Sequence, residues 1–290
     1  MLFRSGCGVV SAFFKLLRLR PRAVVGFGGY PSLPVMLAAS FARIPAALVE
    51  QNAVLGRVNR LLAPRAARIA ANFPFVRFAP KNQNVVVITG NPVRAEAAAL
   101  RGETYAAPEG NGTVRILIFG GSQGARALSE IVPAAMARLP EALRARLDLT
   151  QQCREEDMAM VQAAYRNAQI KAEAAKFFTD LPKRMAASHL VIARSGASTL
   201  AELTVIGRPS ILIPYPYAMD DHQTANAQVL ERAAAAWVVP QSALDAEGLA
   251  GLLEKILSDP AELTARAHAA HALGRADACE RLADLTEALA

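Results

Sequence analysis

The apolar positions fall into short unbroken runs, each closed by a turn of small residues and followed by residues at helical spacing. Ala23-Val24-Val25-Gly26-Phe27 leads into Gly28-Gly29-Tyr30-Pro31-Ser32 and then Leu33 to Phe41. Ala46-Ala47-Leu48-Val49 leads into Glu50-Gln51-Asn52 and a basic helical stretch from Leu55 to Leu62, and Val85-Val86-Val87-Ile88 ends at Gly90-Asn91-Pro92. Apolar runs without polar alternation suit strands buried on both faces, so the pattern predicts βαβ units on parallel sheets. Gly, Glu, Asn and Pro108 cluster over residues 102–112, which predicts a domain boundary. The pattern then restarts. Arg115 to Phe119 runs into Gly120-Gly121-Ser122-Gln123-Gly124-Ala125-Arg126, and Leu190 to Ala193 runs into Arg194-Ser195-Gly196-Ala197-Ser198. Leu147 to Thr150, Ser210 to Pro214 and Ala236 to Val239 are further strands, and Leu244 to Ala290 reads as alanine-rich helices.

The expectation is an α/β chain of two doubly wound domains, residues 1–108 and 112–272, with a C-terminal helix in 273–290 that can return to the first domain. The first domain offers about three strands and opens in a helix, Ser11 to Leu19, so it reads as incomplete. A hydrophobic content of 53% excludes a disordered chain, and no run of about 18 uncharged apolar residues predicts a spanning helix. The start lacks a signal-peptide pattern, which gives a cytosolic reading. Cys7, Cys153 and Cys279 are far apart and form no CxxC pair, so neither a zinc ribbon nor a disulfide framework is indicated, and no metal site is expected.

Charge changes the picture more. Residues 1–108 hold 14 Lys/Arg against Glu50, Glu96 and Glu103, while the remainder holds 18 basic and 22 acidic residues. A basic half favours an anionic partner: nucleic acid, a phosphate-bearing substrate or an anionic lipid surface. Aromatics are 6% and form no tract with Lys or Arg, and nucleic acid leaves the second half's loops unexplained, so it is not expected as a partner. Val9, Phe13 and Leu16 share one face of the first helix, Val10, Phe14 and Leu17 lie beside it, and Lys15, Arg18, Arg20 and Arg22 add positive charge. Two readings stand: a helix packed on its own domain, or one docked on an anionic membrane through Phe13, Phe14, Lys15 and Arg18.

Four loops carry candidate chemistry. Gly28 and Gly29 let backbone approach a ligand where a helix starts near Ser32, which suits an anion but also an ordinary tight turn. The second loop repeats the device with Arg126 in the first helical turn, placed for a phosphate oxygen or for solvent. It is not a Walker A loop. In the third, Ser198 and Thr199 open a helix and Glu202 falls on the same face, where a carboxylate can accept from two ribose hydroxyls. Thr199 and Glu202 also have the spacing of a capping box. In the fourth, Asp220, Asp221, His222, Gln223 and Asn226 suit sugar hydroxyls, with His222 equally readable as a surface residue.

Taken in order, Gly26 to Ser32, Glu50-Gln51-Asn52, Gly90-Asn91-Pro92-Val93-Arg94, Gly120 to Ala125, Arg194 to Ala197 with Glu202, and Asp221-His222-Gln223 with Asn226-Ala227 resemble the MurG family of bacterial transferases. The resemblance covers about Leu16 to Pro240. It implies a GT-B glycosyltransferase fold, two Rossmann-like domains facing a cleft. It further implies metal-independent, inverting transfer of GlcNAc from UDP-GlcNAc to lipid I in peptidoglycan synthesis, with no cofactor. The implied setting is the cytoplasmic face of the bacterial inner membrane. Implied partners are UDP-GlcNAc, lipid I, the anionic membrane surface and other cell-wall synthesis proteins. Carried over, Glu202 binds the ribose, Ala197, Ser198 and Thr199 line the diphosphate and sugar, and Gln223 meets the GlcNAc hydroxyls. Asn91 and Arg126 approach the donor, the segment at Thr179 holds uracil, and Gly28 and Gly29 sit at the acceptor diphosphate. The resemblance leaves the catalytic residue unassigned: the family's Gly-Gly-Thr-Gly-Gly-His loop precedes the Gly28 loop and is absent from these 290 residues. Little transfer is therefore expected from this chain alone. Val49 stands where the family has His, and Cys153 where it has a serine. Two other readings are a non-catalytic nucleotide-sugar-binding remnant or half-enzyme, and a UDP-GlcNAc 2-epimerase-like enzyme.

Overall fold

The computed structural model describes residues 2–121 and 125–290, and of residues 2–6 and 83 the backbone alone. Two compact units form: Met1–Pro92 with Asp277–Ala290, and Val93–Ala276.

In the first unit, α1 (Leu2–Leu19) precedes β1 (Val24–Gly26), α2 (Leu33–Phe41), β2 (Ala46–Glu50), α3 (Arg57–Leu62), β3 (Arg68–Ala71) and β4 (Val86–Ile88). The strands are all parallel in the order β1-β2-β3-β4, with Val24 opposite Ala46 and Ile69 opposite Val86. Met36, Leu48, Leu55, Val58, Leu62 and Ile69 bury the α2/α3 side of the sheet. The other side, Ala47, Val49 and Ala70, is covered by Leu282 and Leu285 of the last helix (Ala278–Glu287), which belongs to this unit. Within α1, Leu16 is buried against Ala38 and Ala39 of α2, with Val9, Ala12 and Phe13 packed around it. The opposite stripe, Val10, Phe14 and Leu17, is exposed. Phe13, expected among the membrane contacts, is therefore engaged in packing, because its helix face is the one that meets α2.

The second unit begins earlier than the expected boundary. Residues 93–108 belong to it, because α4 (Ala95–Ala99) packs against a helix of that unit and Tyr105 is buried in its core. Next come β5 (Val114–Phe119), α5 (Arg126–Arg138), α6 (Glu141–Arg144), β6 (Leu147–Gln152), α7 (Met158–Asn167), β7 (Lys171–Ala175) and α8 (Leu181–Ala187). They are followed by β8 (Leu190–Ala193), α9 (Ala197–Ile206), β9 (Ser210–Leu212), α10 (His222–Arg232), β10 (Ala236–Val238), α11 (Ala246–Leu257), α12 (Pro260–Leu273) and, closing on the first unit, α13 (Ala278–Glu287). The sheet is parallel in the order β10-β9-β8-β5-β6-β7. Ile116, Ile118, Leu149, Ile192 and Ile211 bury one side against Leu128, Val132 and Met136 of α5 and Leu253 and Ile256 of α11. Every residue of α9 from Leu200 to Ile206 is buried. A helix enclosed in this way is a rigid platform for whatever its first turn holds.

Candidate functional site

The second sheet reverses direction between β5 and β8: the chain builds outward to β6 and β7, then returns to add β8, β9 and β10 on the other side. At such a switch point the loops leaving adjacent strands diverge, and a ligand crevice opens at the carboxyl ends. The diverging loops here are Gly120 to Ala125 and Arg194 to Gly196. Ser122, Gln123 and Gly124 of the first lie outside the described residues; Gly121 takes a φ of +84°.

The second loop is fastened from beneath. Buried Arg194 donates through Nη1 to the carbonyls of Ile213 and Pro214, 3.0 Å each, and through Nη2 to Gln241 Oε1 at 2.5 Å. Burial lowers its pKa. Ser195 Oγ donates to the Gln223 carbonyl at 2.8 Å, and the fully buried Asn226 donates through Nδ2 to the Ser195 carbonyl at 3.1 Å. Arg194 and Asn226 thus hold the loop; the sugar contact expected of Asn226 is not available to a side chain enclosed in the core. α9 then starts with Gly196 at its N-cap and no side-chain cap. The first-turn amides of a helix have no intrahelical acceptor, and with the helix dipole they favour an anion. Ala197 and Thr199 are half-buried there, and Ser198 is exposed.

Because the helix begins at Ala197, Thr199 is not its cap, and the capping box with Glu202 does not form. Glu202 is instead held by Arg94: Nε donates to Oε1 and Nη2 to Oε2, both at 2.7 Å. The carboxylate side chain is 10% exposed and the arginine 44%. The hydrogen bond to Glu202 raises the Arg94 pKa, against some desolvation. Arg94 precedes α4, in the Gly-Asn-Pro-Val-Arg stretch. Its sequence separation from Glu202 hid the pairing.

The other expected donor residues follow strand ends of the same sheet. Thr179 is exposed just beyond β7, and Gln223 lies in the first turn of α10, its Oε1 accepting from the Tyr215 amide at 3.0 Å. Arg126 opens α5 and donates to Glu130 Oε1 at 2.6 Å, one turn along its own helix. Parallel strands place these residues and the start of α9 on one edge of the sheet. Asn91 belongs to the first unit, where it is buried.

In the first unit, Gly28 and Gly29 follow β1 with φ of +77° and +73°, a region where a side chain is strained. The Asn59 amide lies 3.4 Å from where a Gly28 Cβ would stand. Asn59 Nδ2 donates to the Val49 carbonyl at 3.1 Å and to Glu50 Oε2 at 3.0 Å. Glu50 also accepts from the amides of Gly56 at 2.7 Å and Asn52 at 3.0 Å. A buried carboxylate needs such partners, and these four bonds set the loop between β2 and α3.

A parallel sheet with a switch point, an uncapped helix start and an adjacent carboxylate suit the phosphates and ribose of a nucleotide. The chain belongs to glycosyltransferase family 28: residues 115–282 match the family's C-terminal domain and residues 1–71 its N-terminal domain. Curated relatives carry the name UDP-N-acetylglucosamine--N-acetylmuramyl-(pentapeptide) pyrophosphoryl-undecaprenol N-acetylglucosamine transferase. The one from Paramagnetospirillum magneticum is 52% identical over 98% of this chain and 77% of its own length. That from Chelativorans is 50% identical over 100% of this chain and 78% of its own length. The crystal structure of Acinetobacter baumannii MurG superposes with a TM-score of 0.84 at 32% identity, covering 99% of this chain and 81% of that one. A UDP-GlcNAc 2-epimerase from Neisseria meningitidis gives 0.66 at 13% identity over 97% of this chain and 80% of its own, a likeness of fold alone.

Proposed function

We propose that this chain transfers GlcNAc from UDP-GlcNAc to undecaprenyl-diphosphate-MurNAc-pentapeptide, forming the disaccharide lipid of peptidoglycan synthesis. The transfer is inverting and needs no metal. The identity to relatives of that name across nearly the whole chain carries the reading. UDP-GlcNAc lies at the carboxyl edge of the second sheet, with its diphosphate at the amides of Ala197, Ser198 and Thr199. A carboxylate has about four lone-pair positions; Arg94 fills two, and Glu202 keeps the others for the ribose hydroxyls. Gln223 meets the sugar, the segment at Thr179 the uracil, and Arg126 the donor. The acceptor diphosphate rests on Gly28 and Gly29. As the acceptor hydroxyl attacks the anomeric carbon, the bond to the diphosphate breaks and negative charge grows on UDP, where the start of α9 stabilises it.

No helix of the described residues is long and apolar enough to cross a membrane. Attachment is peripheral, on the cytoplasmic face of the inner membrane, through the exposed stripe of α1 with Lys15 and Arg18. The decisive assay follows labelled GlcNAc from UDP-GlcNAc onto a lipid I analogue without divalent metal. Glycosylated product that disappears in Glu202→Ala is expected when the family's Gly-Gly-Thr-Gly-Gly-His loop is joined to these 290 residues, and little product from the 290 residues alone; release of free sugar or of an epimer in its place overturns the proposal.

A further inference from the structure

The segment between β9 and α10, residues 213–221, leaves the carboxyl edge of the second sheet and ends beside Gln223. Two hydrogen-bonded turns fix its course. The Ala218 amide donates to the Tyr215 carbonyl at 3.2 Å, and the Asp221 amide to the Ala218 carbonyl at 2.9 Å. Pro216 stands second in the first of these turns, where its fixed φ suits the bend, so Tyr217 is third, at the tip. Its side chain is left in water: Tyr217 is 81% exposed and Tyr215 44%. The two rings meet edge to face, with 5.6 Å between centres and 71° between planes. The guanidinium of Arg194, which fastens the neighbouring loop, lies 5.6 Å from the Tyr215 ring centre. Asp220 and Asp221 take φ of +53° and +55°, a left-handed backbone uncommon outside glycine. His222 Nδ1 donates to the Met219 carbonyl at 2.9 Å and braces that bend. Gln223 itself ties the loop to the sugar. Its Oε1 accepts from the Tyr215 amide at 3.0 Å, which leaves Nε2 to donate to a sugar oxygen.

We propose that Tyr217, braced by Tyr215, is a stacking platform for the pyranose ring of the donor, and so sets affinity for the sugar rather than for the nucleotide. This rests on the reading above that UDP-GlcNAc lies at this edge of the sheet. An aromatic ring is negative over its face and positive at its rim. A pyranose presents faintly positive C–H groups between its hydroxyls, so a ring face complements the part of the sugar that hydrogen bonds do not reach. The other donor contacts leave that part uncovered: the start of α9 and Glu202 take the diphosphate and ribose, and Gln223 takes hydroxyls. The turn, the edge-to-face pair and the Gln223 hydrogen bond hold the platform in place before the ligand arrives, so little freedom is lost on binding. Strain in a loop that keeps an aromatic ring out of the core marks a ligand contact, and the ligand at hand is the one that Gln223 meets.

The experiment titrates the 290-residue chain and its variants with UDP-GlcNAc and with UDP, by calorimetry. Tyr217→Ala should weaken UDP-GlcNAc about five-fold or more while UDP affinity stays within about two-fold of wild type. Tyr217→Phe keeps the ring and should bind UDP-GlcNAc as wild type does. Glu202→Ala serves as the reference, because the ribose is common to both ligands: it should weaken UDP and UDP-GlcNAc alike. UDP-GlcNAc affinity unchanged in Tyr217→Ala, with both ligands weakened in Glu202→Ala, overturns the platform and leaves the donor site standing. An equal loss for UDP and UDP-GlcNAc in Tyr217→Ala also overturns it, since the ring then acts on the nucleotide or through the fold of the loop. Full loss in Tyr217→Phe assigns the effect to the hydroxyl and overturns stacking. A wild-type chain that binds neither ligand overturns the platform and the donor site together.

Discussion

At the scale of single residues, the Arg94–Glu202 pair and His189 make different demands. If Glu202 accepts from the donor ribose, Glu202→Ala removes a charged hydrogen-bond acceptor. UDP-GlcNAc affinity should then fall roughly 10- to 150-fold, about 1.5–3 kcal/mol, by isothermal titration. Arg94→Lys keeps the charge but loses the planar fork, so it should fall between wild type and Arg94→Ala. Affinity unchanged in all three confines the pair to structure. His189 concerns stability. Its Nδ1 accepts from the Arg115 amide at 3.0 Å. Burial, then the Arg115 and Arg208 guanidiniums, push the imidazole down to about 4. In the unfolded chain it titrates near 6.5. Between those values the unfolded chain takes up a proton that the folded protein does not, so stability declines as pH falls from about 6.5 to about 4. Linkage puts the loss at about 3 kcal/mol. His189→Asn keeps an acceptor without the titration, so its melting temperature should drop less between pH 7 and pH 4.5. Equal drops would remove His189 as the cause.

At the scale of elements, α1 has two apolar faces with opposite consequences. Phe13 is packed beside Leu16 on α2, and Phe14 is 65% exposed. Phe13→Ser should destabilise the protein by about 1–3 kcal/mol, read by urea unfolding. Phe14→Ser should leave the midpoint nearly unchanged and weaken vesicle binding. The reverse pattern would mean that the helix turns its other face to the membrane. Elements also differ in how legible they are from sequence. Strands with β-branched runs, such as Val114–Phe119, stand out. β3 is Arg-Ile-Ala-Ala and β7 is Lys-Ala-Glu-Ala-Ala, compositions that favour helix, and neither is expected from pattern. Both are strands because a neighbour supplies the ladder: β3 between β2 and β4, and β7 on the edge against β6. Pairing overrides local propensity where it satisfies backbone groups that would otherwise be left unmatched.

At the scale of the whole molecule, charge is divided between the two halves, with 14 of 32 basic residues and 3 of 25 acidic residues in positions 1–108. Attachment through the basic half should be salt-sensitive, because the Debye length shortens from about 10 Å at 0.1 M to about 3 Å at 1 M salt. Sedimentation with anionic vesicles should fall across that range while UDP-GlcNAc affinity changes less. Equal binding to neutral vesicles at low salt would remove the electrostatic part.

The sequence by itself determined the α/β class, the order of most strands and helices, and the family, because buried parallel strands require unbroken apolar runs and their turns require small residues. It also located the loops on the carboxyl edge of the second sheet. Tertiary structure decided what side chains in those loops contact. Arg94 reaches Glu202 across 108 positions, and the polar Arg194 and Asn226 are enclosed as fasteners, which no spacing along the chain reveals. It decided the unit boundary, since residues 93–108 join the second unit through the packing of α4 and Tyr105. It likewise decided where α9 begins, and hence that Thr199 is not its cap. It also made Gly274 obligatory: a Cβ there would stand 2.4 Å from the Thr204 carbonyl oxygen. Local pattern records which residues can be buried; which groups meet depends on the packing of elements distant in the chain.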